Sequence, residues 1–191
     1  MLLRLLSIFL ATILLPYVGF PQDGIDSVSN SSLSDIESYK LEIMNLESDY
    51  GPMNQRLVEP LDGLISRLIE LGLIDQVVEH QTKQLAIMRA NLGFQSLDLL
   101  PVLRKMIQVQ QALGNWEATS DILDHIRFLI AANYDQKSEE TLFAMENQAQ
   151  WSLAGFYLDA QRNQSNNFLD ARNLYADMEG LAEDVYGENS P

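Results

Sequence analysis

Two histidines, His80 and His125, are the side chains of this chain best suited to acid–base or metal chemistry, and 45 residues separate them. Neither has a second His within ligand spacing, and the chain contains no Cys, so no zinc-type ligand set is written. Nucleophilic catalysis would need a Ser–His pair, and no G-x-S-x-G elbow announces one. No Gly-rich phosphate loop follows a strand, and no D-x-D-x-D-G loop offers Ca²⁺ a cage. Carboxylates are abundant, yet "KSEE" and "DMEGLAEDVYGE" read as solvated helix faces and caps, not as an acid–base pair. The sequence therefore predicts no enzyme, and no catalytic, metal-binding or cofactor-binding residue.

Charge narrows the partners further. Against 12 basic side chains stand 27 acidic ones, a formal charge of −15. Such a surface repels phosphate backbones, so no nucleic-acid partner is expected. Apolar residues make up 47% of the chain, too many for a disordered one. The opening "MLLRLLSIFLATILLPYVGF" has one early cation, Arg4, and then an apolar run broken by Pro16. It is short for a bilayer span and has the shape of a secretory signal over residues 1–20. A polar linker over 21–32 follows. No A-x-A pattern precedes "PQDG", so the alternative is an uncleaved inner-membrane anchor facing the periplasm. Export without any Cys, hence without disulfides, fits a bacterial periplasm. Membrane contact is expected only through this segment.

The elements that position everything else show a period. "IESYKLEIMNLESDYG" sets Ile36, Tyr39, Ile43, Leu46 and Tyr50 on one helical stripe, with Ser34 or Asp35 as its cap and Gly51 beyond its end. Gly51 recurs as Gly93, 42 residues on, then as Asp135, and after 52 more as Gly187. Gly72 recurs as Gly114 at 42, and 52 further on stands Asn166. Both landmarks agree, so each unit reads as two helices. The first helices span 54–71, 96–113 and 138–160; the second span 75–91, 116–133 and 168–186. Ser96 and Ser138 are N-caps, Glu139 and Glu140 complement a helix dipole, and Pro60 and Pro101 fall early in their helices. Gly72, Gly114 and Asn166 are expected in left-handed turns. Trp116 and Trp151 are read as core residues, and Met44, Met88, Met106 and Met145 as core gap-fillers.

The second half of each unit resembles the tetratricopeptide repeat: Gly, a large apolar residue two on, a small one five on, an aromatic nine on. Phe168, Ala171 and Tyr175 keep that pattern, as do Gly114 and Trp116 with Thr119 in the small place. Gly72 and Ile74 keep it too, with Val77 in the small slot and Gln81 in the aromatic one. The 42-residue period looks like the long, kinesin-light-chain type. Phrases such as "QSLDLLPVLRKMIQVQQALGNWEA" are similar to exported repeat proteins of Gram-negative bacteria. The resemblance covers residues 33–191.

It implies an all-α fold, an α-solenoid of helix–turn–helix repeats in a right-handed superhelical stack. Residues 33–187 form the repeat domain: a half repeat over 33–50, then units 51–92, 93–134 and 135–186, with the array expected to continue past the last residue. In such arrays the first helix of each unit lines a concave face that holds a peptide or a partner helix. Counting from the turns, those positions are Asp62, Ser66 and Ile69, then Arg104, Gln108 and Gln111, then Ser152, Phe156 and Asp159. The expected function is a non-enzymatic scaffold of the cell envelope whose partner is another protein or peptide. The alternative is a helical accessory region of a longer envelope or cell-wall enzyme. Uncapped array ends would also allow self-association.

Overall fold

The computed structural model describes residues 25–158 and 164–187, and side chains within 33–157 and 166–187. All of its regular structure is helical. In chain order the helices are α1 (Ile25–Tyr50), α2 (Val58–Glu70), α3 (Ile74–Leu92), α4 (Leu100–Ala112), α5 (Trp116–Asn133), α6 (Glu139–Leu158) and α7 (Gln164–Tyr186). Short 3-10 turns, Gln55–Leu57 and Leu97–Leu99, lead into α2 and α4. The signal segment 1–20 and Asp159 lie outside the described residues.

The period read from the sequence reappears in local geometry. Asn54 accepts a hydrogen bond on Oδ1 from the Arg56 amide, and Ser96, 42 residues on, accepts one on Oγ from the Asp98 amide. Ser138 does the same for the Thr141 amide at the start of α6. Each cap satisfies a donor that the helix start leaves unpaired. Gly72 and Gly114 turn with φ of +71° and +66°, where a Cβ is disfavoured. Each helix packs on the one before and the one after it, so the chain is laid down in sequence order.

The core follows the same order. Leu57, Leu61, Leu64, Ile65 and Leu68 present one apolar stripe, and all are essentially without solvent exposure. They pack on Ile36 and Ile43 of α1, on Val77 and Ile87 of α3, and on Val109 of α4. Each such side chain contributes about 1.5–3 kcal/mol of burial. A second cluster joins Leu85 to Leu103, Met106, Ile122 and Leu129. Between α5 and α6, Trp116 and Trp151 stack with ring centroids 4.0 Å apart, and Trp151 Nε1 donates to Ser120 Oγ at 3.0 Å.

Several expectations are corrected. Residues 25–32, read as linker, belong to α1, which starts ten residues before Asp35. No Pro or Gly interrupts 25–50, so the helix anchored by Ile36 and Ile43 propagates backwards through the serines. Ser34 and Asp35 are thus interior rather than caps, and Asp35 pairs with Arg67 at 3.2 Å. Asn166 lies inside α7, not in a left-handed turn; every positive-φ residue among those described is Gly. Met44 faces solvent, because it stands about a quarter-turn round α1 from the buried stripe through Ile36 and Ile43. Trp116 and Trp151 are half-buried, each shielding the other at the α5–α6 joint.

Candidate cleft between alpha-2 and alpha-4

The first helices of two successive units, α2 and α4, stand on either side of α3 and leave a cleft of about 490 Å³ between them. Val58, Glu59 and Asp62 form one wall, Pro101, Val102 and Lys105 the other, and Gln84 and Met88 of α3 form the floor. The 3-10 turn that precedes each helix adds Gln55 and Arg56 on one side and Asp98 on the other. The two walls match in length, since α2 and α4 each have 13 residues and start 42 residues apart.

Lys105 Nζ reaches Asp62 Oδ1 across the cleft at 2.6 Å. The same oxygen lies 3.5 Å from Gln84 Nε2, which also donates to the Val58 carbonyl at 3.3 Å. Gln84 is almost wholly buried, yet both bonds are long, so its amide is weakly held. The Asp62–Lys105 pair is about half exposed on both sides and contributes little to stability, on the order of 0–1 kcal/mol. It can therefore open at small cost. The site combines an exchangeable ion pair, a buried amide and the apolar surfaces of Val58, Met88, Pro101 and Val102. That is chemistry for holding a peptide, with donors and acceptors for its backbone and apolar ground for a side chain. Among the described residues, no group of three His, Asp or Glu is arranged to hold a metal ion.

Of the nine residues named from sequence, Asp62 lines this cleft. Ser66 and Ile69 continue outward along α2, both exposed, with Ser66 Oγ donating to the Asp62 carbonyl at 2.9 Å. Arg104, Gln108 and Gln111 are exposed on α4 but do not line the cleft. Ser152 and Phe156 point elsewhere. Ser152 lines a second, smaller cleft with Asp124 of α5 and Asp170 and Asp177 of α7. Phe156 packs on Phe168 of α7, centroids 5.6 Å apart. Giving about six of the ten extra residues of the last unit to its first helix places these positions 48 residues on from Arg104 and Gln108, whereas α6 keeps its 42-residue phase at its N-terminus, at Ser138. In that phase Glu146 and Gln150, both exposed, are the equivalents of Arg104 and Gln108.

Sequence reasoning missed Lys105, Gln84 and Met88. Lys105 was within reach: it is the 42-residue equivalent of Gly63, one step from Asp62, so the residue facing Asp62 comes from the adjacent register. Gln84 and Met88 belong to the second helix of the unit, which a concave face lined by first helices does not include. No protein-family model and no curated protein sequence matches the chain. No helix among the described residues is long and apolar enough to cross a membrane.

Proposed function

We propose that the chain is a non-enzymatic interaction scaffold, an exported tetratricopeptide-like α-solenoid that holds an extended peptide of another protein in the cleft between α2 and α4. The observation that carries this reading is the cleft itself. Two equivalent helices face each other over a buried, weakly bonded Gln84, with a solvent-exposed ion pair as the removable cover. The stacking of helices in chain order and the recurrence of caps and turns at 42 residues support the repeat architecture. The apolar N-terminal segment supports export.

Selection of a displayed random-peptide library on the full chain, followed by anisotropy titration of the selected peptides, tests the site. Gln84→Ala and Lys105→Glu should each weaken a cleft-bound peptide about tenfold, the worth of one hydrogen bond or ion pair lost from a buried complex. Ser152→Ala, in the other cleft, should change nothing. Peptides that bind equally well to the Gln84 and Lys105 variants, or lose affinity at Ser152, would overturn the assignment.

A further inference from the structure

The second helices of successive units are tied to one another by a pair of side chains that recurs with a change of chemistry. Lys83 of α3 bonds Glu47 of α1 at 2.5 Å. Forty-two residues on, the same two positions are His125 of α5 and Arg89 of α3. At the first joint the pair is an anion and a cation. At the second it is a permanent cation and an imidazole: Arg89 Nη2 lies 2.8 Å from His125 Nδ1.

The surroundings fix the ring's state. His125 Nε2 lies 3.4 Å from the Phe94 carbonyl, which can only accept, so Nε2 carries the hydrogen. Nδ1 must then accept from Arg89, and the ring is neutral. Phe94 stacks on the imidazole at 4.5 Å between centroids, and its ring also lies under the Arg89 guanidinium at 4.8 Å. Phe128, from the same helix as His125, closes the cluster. Arg89 Nε is buried without a partner. The charged group that acts on the ring is Arg89, and no carboxylate among the described residues does so. A proton on Nδ1 would turn the acceptor into a second cation facing the first, with nothing beside it to neutralise either.

We propose that the α3–α5 joint is released by protonation of His125, while the α1–α3 joint, closed by Glu47 and Lys83, is not. Acid thus loosens one joint of the array selectively, the one whose α3 side also carries Met88 into the α2–α4 cleft. Burial lowers the His125 pKa, the Phe94 hydrogen bond opposes this, and the Arg89 charge adds to the lowering. The sign follows. A depressed folded pKa means stability that is complete above the ordinary histidine value of about 6.5 and is lost as pH falls through the folded one.

His80 is also pushed down by burial and would add a slope of the same sign, so the test is run on a His80→Gln background. Thermal unfolding of the full chain is followed by circular dichroism at pH 7.5 and pH 5.5. The parent should lose a few degrees of Tm on acidification, and His125→Gln should lose much less. Arg89→Glu should reverse the sign, gaining Tm on acidification, because it installs at this joint the charge pattern of the other one. An identical pH slope in the parent and Arg89→Glu would overturn the proposal. The unmutated chain gives an independent check through the His125 ring resonances. A titration midpoint below the ordinary histidine value is expected, and one at or above it overturns the proposal.

Discussion

Asn91 and Asn133, 42 residues apart, make the same two hydrogen bonds. Asn91 Nδ2 donates to the Met53 carbonyl at 2.8 Å and back to the Ile87 carbonyl at 2.7 Å. Asn133 Nδ2 donates to the Gln95 and Leu129 carbonyls, both at 2.8 Å. Each amide ties the last turn of a second helix to the segment that leads into the first helix of the same unit. It thereby fixes where the helix pair closes, and with it the entry to the cleft walls.

Because the two clamps share no partner, their losses should add. Asn91→Ala and Asn133→Ala are each expected to cost about 1 kcal/mol, two exposed hydrogen bonds of roughly that worth less the helix propensity that Ala restores. Each cost corresponds to a fall of about 2–4 °C in Tm for a chain of this size. Urea unfolding of the two single variants and the double variant measures this. A double variant no weaker than either single one would show that the clamps are not independent.

Tyr39 lies so close over Gly63 that a Cβ there would overlap its ring at Cζ. In an exposed helix, replacing Gly by Ala stabilises by about 1 kcal/mol. Here the clash outweighs that gain, and Gly63→Ala should destabilise by about 1–3 kcal/mol, as overpacking does. Tyr39→Ala in the same chain should restore the helix-propensity gain. The coupling energy from a double-mutant cycle reports the contact directly.

Gln81 is 1% exposed, and neither its Nε2 nor its Oε1 has a partner. Its 42-residue equivalent is Leu123, a buried apolar residue. An unsatisfied buried amide costs about 1–3 kcal/mol. Gln81→Leu is therefore expected to raise stability by about that much, read as a higher urea midpoint at unchanged m-value. The tetratricopeptide-like pattern has an aromatic in this slot, and Gln81 was already conspicuous there as a departure.

The repeat period was legible because it is carried by local chemistry. Gly72, Gly114, Ser96 and Ser138 act within their own turn of chain, and α5 runs from Trp116 to Asn133 as its sequence reads. What was not legible depends on packing. The start of α1 was hidden because its first residues show no apolar stripe and helix continues through them from a docked segment downstream. The cleft was half legible: Asp62 follows from counting along one helix. Its partners Lys105 and Gln84 follow only from knowing which helices stand opposite it. Ser152 and Phe156 lie off the cleft because α6 holds its 42-residue phase from Ser138, so the extra residues of the last unit fall after these positions and not before them.

Asn166 gives the sharpest contrast between a landmark and a conformation. It occupies the place of Gly72 and Gly114 when counted at 52 from the latter, yet it sits in the first turn of α7. Gly114, at φ +66°, should cost about 1–2 kcal/mol when changed to Ala, since a Cβ in the left-handed region meets the following carbonyl. At Asn166 the order of preference is that of a helix. Asn166→Ala is expected to be neutral or to stabilise by up to about 0.7 kcal/mol, and Asn166→Gly to destabilise by a few tenths. A left-handed turn at Asn166 would invert this ranking, because Gly would relieve strain there and Ala would add to it. Chemical denaturation of the Asn166→Gly variant decides between the two, and a gain in stability would place the turn at Asn166 and move the start of α7 beyond it.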